Sequence, residues 1–295
     1  MRECALAVTT DLLWLDHPDC RELALVGGKA ANLARLASLH PVPPGFCLTT
    51  AAFDRAWNGG PPRALPSDVR ATLSDAYARL EAENGADDLA VAVRSSAVDE
   101  DGVGASFAGQ HETYLNVVGT EAVAEAVERC WASASAERAL AYRRQQGLPV
   151  DRVQLAVLVQ RLIHADVAAV VFGANPLTGD RDEVVVNASW GLGESIVGGT
   201  VTPDTYVVAK ADGRVLSRRV GDKARMTVPV AGGTREVEVP RMLRGTPSLD
   251  DAQAAEAAAL AVKLEAAMGW PVDVECAWRD GQLYLLQCRP ITTLR

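Results

Sequence analysis

The sequence predicts an α+β protein built in lobes with largely antiparallel sheets rather than a doubly wound parallel sheet. Two observations lead there. Strand-like and helix-like stretches alternate early in the chain, whereas hairpins dominate later, with Asp212–Gly213 and Asp280–Gly281 at their turns. The length of 295 residues fits two domains at about 150 residues each.

The elements follow in order. "ALVGGKAANLARLASLH" opens with a glycine pair and continues as a helix with Leu33, Leu36 and Leu39 on one face. "PVPPGFCLTTAAF" reads as a turn, a short strand and a helix capped by Thr49 or Thr50. "GGPPRALPS" is a loop, and Val69 to Asn84 a helix. "DLAVAVRSS" is a buried strand. Glu121 to Gln146, rich in Ala, Glu and Arg, reads as one long helix. "RVQLAVLVQRLIHADVAAVVFGANP" gives two β-rich runs broken at His164–Ala165–Asp166. "EVVVNASWGLGESIVGG" is a strand and a glycine-rich turn, and "DTYVVAKADGRVLSRRVG" a hairpin. Asp250 to Met268 is an alanine-rich helix, and "PVDVECAWRDGQLYLLQCRPIT" a second hairpin.

Composition excludes several functions. Hydrophobic residues make up 48% of the chain and aromatics 5%, so the core is mostly Val, Leu and Ala. A net charge of −9 argues against nonspecific nucleic-acid binding and against an anionic membrane surface. It leaves nucleotides open, because a few local cations suffice for them. The only lysines are Lys29, Lys210, Lys223 and Lys263, which makes each informative in an arginine-rich chain. No apolar run reaches the roughly 18 residues of a membrane span. The amino-terminal stretch meets Asp11 and Asp16 too early for a signal peptide. The six cysteines lack a C-x-x-C pair and read as buried thiols in a reducing cytoplasm.

Four stretches carry candidate chemistry. In "GGKAANL", Lys29 starts a helix, where its ammonium could reach a phosphate beside the positive helix end, or simply face solvent. In "VRSSAVDEDGVGASFAGQHETYLNV", Arg94 at a strand end supplies a fixed positive charge. Gly109 lets backbone approach a ligand there, and Thr113 offers a hydroxyl. Those features suit phosphate, and a surface hairpin is the other reading. In the last hairpin, Glu275, Gln287 and Arg289 project from one face. A carboxylate plus an amide oxygen suits Mg²⁺, with Arg289 meeting the same phosphates. A cross-strand ion pair between Glu275 and Arg289 is the alternative. In "NASWGLGESIVGG", Glu194 is a second acid that could lie near the metal.

Jointly these stretches resemble the nucleotide-binding domain shared by phosphoenolpyruvate synthase, pyruvate phosphate dikinase and rifampin phosphotransferase. The pieces that carry the resemblance include "GGKAANLARL", "VPPGF", "VRSSAVDED", "SFAGQHETYLNV", "NPLTG", "WGLGESIVGGTVTPD" and "LLQCRPIT", in family order. The resemblance implies an ATP-grasp fold, with an N-terminal lobe over residues 1–158 and a C-terminal lobe over 159–295. It implies ATP and Mg²⁺ as cofactors. By similarity Lys29, Arg94 and Arg289 act on the phosphates, and Gly109 and Thr113 belong to a loop covering them. Gln160 lies near the adenine, and Glu275 and Gln287 hold the metal.

Family enzymes pass the phosphoryl group to a histidine on a swivelling domain; no stretch of these 295 residues resembles that domain or the substrate domain, and a stand-alone subunit and a piece of a longer enzyme would read alike. His17, His40, His111 and His164 lie outside any carrier context. The expectation is therefore a dikinase-type phosphotransferase subunit. It would phosphorylate a separate histidine carrier, for onward transfer through an acceptor-binding protein to pyruvate or a small hydroxylated compound. A ligase-like biosynthetic component and a nucleotide-binding regulatory module stay open beside it. Cys276 departs from the family pattern, standing where an aromatic residue is common.

Overall fold

The computed structural model describes residues 10–57, 64–99, 112–145, 147, 149–150, 153–292 and 294. Gly109 and His111, among the residues singled out above, lie outside these. In chain order the elements are β1 (Leu12–Trp14), α1 (Leu23–Leu36), β2 (Gly45–Leu48), α2 (Thr50–Trp57), α3 (Ser67–Asn84), β3 (Val91–Ala97) and β4 (Thr113–Val117). Next come α4 (Thr120–Ser133), α5 (Glu137–Gln145), β5 (Leu155–Arg161), β6 (Val167–Phe172), β7 (Glu183–Trp190), α6 (Glu194–Val197), β8 (Asp204–Ala209) and β9 (Val215–Arg219). The last are β10 (Arg225–Val230), β11 (Gly233–Glu238), α7 (Arg241–Arg244), α8 (Asp251–Met268), β12 (Val272–Arg279) and β13 (Gln282–Pro290).

One sheet has the order β1-β2-β5-β3-β4 and the other β13-β12-β6-β7-β8-β9, with β10 and β11 as a separate hairpin. Every pairing is antiparallel, as the hairpin-rich sequence predicts. The expected lobe boundary at 158/159 falls inside β5, which pairs with β3 as far as Arg161.

The five-stranded sheet is covered on both faces, and its central strand shows why "LAVLV" has no polar alternation. Leu155, Val157 and Val159 pack with Phe53, Leu73, Val127 and Trp131 of α2, α3 and α4. Ala156 and Leu158 pack on the opposite side with Val26, Ala30 and Leu33 of α1. That second cluster continues into the six-stranded sheet and its covering helix α8, through Val171, Val274, Cys276 and Leu264. One apolar core thus joins the two sheets along α1, and each buried leucine in it contributes about 2 kcal/mol.

Four expectations need correction. Leu33 and Leu36 are buried as predicted, but α1 ends at Leu36 and Leu39 is 63% exposed. The long helix from Glu121 is broken between Ser133 and Glu137. Ser133 Oγ donates to the Cys130 carbonyl and Ser135 Oγ to that of Ala132, so both serines engage carbonyls of the last turn at the break. Arg94 stands in the middle of β3 rather than at its end, and Thr113 opens a strand rather than lying in a loop.

Helix α8 begins with a reciprocal cap. Asp250 Oδ1 accepts from the Gln253 amide at 2.8 Å, and Gln253 Oε1 accepts from the Asp250 amide at 3.0 Å. Asp250→Ala is expected to cost about 1 kcal/mol, read as a lower urea midpoint with an unchanged slope. Among the described residues no helix is long and apolar enough to cross a membrane.

Candidate functional site

Helix α1 is kinked at Gly27, where a backbone contact that only glycine allows sets the start of its second part. Gly27 has φ +71°, and a Cβ there would sit 2.1 Å from the Ser96 carbonyl oxygen of β3. This close approach seats the helix on the strand, and the Ala30 amide donates to Ser96 Oγ at 3.2 Å. One residue past the glycine pair, Lys29 is 7% exposed and lines a cavity of about 310 Å³ between the two sheets.

Strand alternation brings the next residues to the same space. In β3, Val91 and Val93 point into the core with α3 and α4, so Ala92 and Arg94 face the cavity. Thr113 pairs with Arg94 across the sheet and also lines it. Gln160 is buried on β5, opposite Gly45 and Ala92, and its Nε2 donates to the Pro43 carbonyl at 2.9 Å.

The other wall is the hairpin of β12 and β13. Glu275 stands directly opposite Gln287, and Asp273 opposite Arg289. Glu275, Gln287 and Arg289 all line the cavity. The ion pair that forms is Arg289 Nε to Asp273 at 2.9 Å, in place of the Glu275–Arg289 pair weighed above. A β-bulge after Glu275 puts Leu286 and Gln287 side by side on the cavity face.

Two hydrogen bonds hold the walls together. Arg94 Nη1 donates to the Leu286 carbonyl at 3.0 Å, and Asn32 Nδ2 to the Cys288 carbonyl at 3.1 Å. The first lobe therefore grips β13 at alternate carbonyls, one from a strand and one from α1 a turn beyond Lys29. Asn32 lies inside "GGKAANL" and its clamping role has no sequence signal apart from that position.

The structure thus gathers Lys29, Arg94, Thr113, Gln160, Glu275, Gln287 and Arg289 around one cavity, and Glu194 of α6 with them. Arg161 joins them, stacked over Tyr284 at 5.9 Å; its place beside Gln160 on a strand gave no reason to single it out. Lys29, Arg94, Arg161 and Arg289 face Glu194 and Glu275 there, so among the described residues cations outnumber carboxylates around the cavity, in a chain of net charge −9. Arg94 Nε and Arg161 Nε are buried without a hydrogen-bond partner among the described residues. Such donors suit an anionic ligand with many acceptor oxygens.

Ala168, Val170, Leu192 and Val197 add an apolar wall, of the kind that receives the flat face of a base. The Cys276 thiol is pushed well above its ordinary range by burial, and further by the charges of Glu256 and Glu275. It stays a neutral thiol, unsuited to binding metal as a thiolate. Among the described residues no three His, Cys, Asp or Glu side chains gather as a metal cluster. A Glu–Gln pair is a donor set that fits Mg²⁺, which takes few protein ligands.

Comparison with known proteins agrees with this geometry. The chain is 37% identical over 318 residues to a probable phosphoenolpyruvate synthase of Methanocaldococcus jannaschii, an alignment covering 96% of this chain and 27% of that protein. It is 38% identical over 306 residues to a probable phosphoenolpyruvate synthase of Methanothermobacter thermautotrophicus, covering 92% of this chain and 45% of the relative. A rifampicin phosphotransferase of Streptomyces sviceus is 38% identical over 314 residues, covering 96% of this chain and 36% of that enzyme. The chain therefore spans less than half the length of each of these relatives. Residues 62–295 match the family described as the pyruvate phosphate dikinase AMP/ATP-binding domain. With cations and a carboxylate–amide pair facing one cavity between two antiparallel sheets, the chain belongs to that family of AMP/ATP-binding domains.

Proposed function

We propose that this chain binds Mg-ATP in the cavity and passes one phosphoryl group to a histidine on a separate carrier domain and a second to water, so that AMP and phosphate leave. The carrier would then pass the group to pyruvate or a small hydroxylated acceptor. The observation that carries this reading is the meeting of Lys29 and Arg94 from one lobe with Glu275, Gln287 and Arg289 from the other. The names of the relatives, synthase and phosphotransferase, support a phosphoryl-transfer chemistry.

Phosphoryl transfer asks mainly for positioning and charge neutralisation. Lys29 and Arg94 would hold phosphate oxygens, and Arg94 is itself fixed by its bond to the Leu286 carbonyl. Arg289, oriented by Asp273, would add a second fixed fork. Gln160 and the apolar wall would orient the base. Glu275 and Gln287 would hold Mg²⁺, whose charge would offset the negative charge that builds up on the phosphates during transfer.

Calorimetry of Mg-ATP on the wild type and on Lys29→Ala tests this directly. Loss of a charge-assisted bond predicts roughly 10- to 100-fold weaker binding in the variant. AMP should appear when a phosphohistidine domain from one of the longer relatives is added in trans. A well-folded wild type that does not bind Mg-ATP would overturn the proposal.

A further inference from the structure

Strand β4 carries an irregularity beside the cavity. Val91 pairs with Val117 and Val93 with Tyr114, so Leu115 and Asn116 together stand against Ala92. Asn116 absorbs the extra length with φ +57°, a left-handed conformation that asparagine tolerates better than most residues. The bulge sends neighbouring side chains different ways. Leu115 lines the cavity, while Asn116, 7% exposed, donates from Nδ2 to the Val230 carbonyl at 2.7 Å and to the Gly233 carbonyl at 2.9 Å. Those carbonyls flank the turn of the β10–β11 hairpin.

The root of that hairpin is tied to the opposite wall. The Leu192 amide donates to the Thr227 carbonyl at 2.9 Å. Gly191, at φ +76°, comes so near that a Cβ would lie 2.5 Å from the same oxygen. Leu192 and Glu194 line the cavity from this side, as Thr113 and Leu115 do from the other. The hairpin is therefore a clasp, rooted on the six-stranded lobe and pinned at its tip to the five-stranded one. The asparagine amide supplies both of the side-chain hydrogen bonds at the pin.

We propose that Asn116 is a positioning residue for the nucleotide, acting through the β10–β11 hairpin to hold the two cavity walls at their working separation. The inference rests on the nucleotide reading above. Released from Asn116, the tip would leave β4, and Leu115 and Glu194 would no longer be held across the same ligand. The ligand should then leave faster, with the chemical groups on the cavity floor untouched.

The test uses Asn116→Gly, which accepts the left-handed backbone and removes the whole side chain with its amide, and Asn116→Asp, which keeps the size but sets a carboxylate against two carbonyl oxygens. Three quantities are read: amide hydrogen exchange over residues 225–238 in the apo protein, Mg-ATP affinity by calorimetry, and the dissociation rate of a fluorescent ATP analogue. Exchange at the hairpin is expected to rise about tenfold or more, with Kd and dissociation rate raised about tenfold in the same variants and an intact far-ultraviolet spectrum. Wild-type exchange at the hairpin in both variants would overturn the inference. So would faster exchange with unchanged Kd and dissociation rate, because the pin would then be structural only. A wild type that fails to bind Mg-ATP would sink the nucleotide reading and this inference with it. Normal binding by wild type and both variants would sink the inference alone.

Discussion

Glu275→Ala is expected to lower AMP formation by about 100-fold or more when a phosphohistidine domain is supplied in trans, while leaving the protein folded. The loss follows from where the carboxylate stands. Glu275 is half-buried on β12 and lines the cavity, and its strand neighbours Val274 and Cys276 belong to the core behind it. Removing it takes away the one charged member of the Glu275–Gln287 donor pair and leaves a neutral amide. The cationic side of the cavity, from Lys29, Arg94 and Arg289, stays in place. ATP should therefore still bind, but the Mg²⁺ concentration needed for half-maximal activity should rise steeply. Glu275→Gln, which keeps size and one oxygen donor, should fall between. A normal Mg²⁺ requirement and normal turnover in Glu275→Ala would remove the hairpin from the reaction.

The largest expected loss of stability lies away from the cavity, at Asp204. This carboxylate and Lys223 are both fully buried, 2.5 Å apart. Asp204 also accepts from the Gly221 amide at 2.8 Å, the Ser248 amide at 2.6 Å and Ser248 Oγ at 2.7 Å. One side chain thus ties together β8, the segment before β10 and the segment before α8. Asp204→Ala would leave an ammonium in the core, held only by the Gly221 carbonyl at 3.1 Å. A cost of about 3–5 kcal/mol is expected, measured by urea unfolding. Pairing the change with Lys223→Met should recover part of it, since the stranded charge is then gone while the two backbone amides remain unsatisfied. A double variant no more stable than Asp204→Ala would mean that the hydrogen bonds, not the charge, dominate.

What could be read from the sequence follows from how local each signal is. The hairpin at Asp280–Gly281 was legible because its turn needs two left-handed residues, and both have positive φ. Helix α3, read over Val69 to Asn84, runs from Ser67 to Asn84. The break between α4 and α5 was missed, although its cause is local: Ser133 and Ser135 turn their hydroxyls onto nearby carbonyls. Hairpin β10–β11 went unread although Met226, Val228 and Val230 recur at every second position, because Pro229 interrupts that run. At the site, residue type singled out the charged and amide groups. Asn32, Asn116 and Arg161 could not be singled out, because their partners lie 256, 114 to 117 and 77 residues away.

The bulge in the last hairpin has a consequence for how this site can change. From the turn outwards Arg279 pairs with Gln282 and Cys276 with Leu285, and an unbroken ladder would next set Glu275 against Leu286. One surplus residue shifts the frame, so that Gln287 and Arg289 face the cavity and Cys288 the core. The donor pair is thus encoded by a count as much as by residue identity. Deleting one residue between the turn and Gln287 would remove the surplus and close the ladder with Gln287 still opposite Glu275, whereas healing the bulge at the present length would turn Gln287 and Arg289 away together without altering either of them. Lengthening the hairpin at its turn leaves this parity alone. Length can therefore change at the tip of the hairpin without moving the donor pair, while the residues just below the bulge are held to their count.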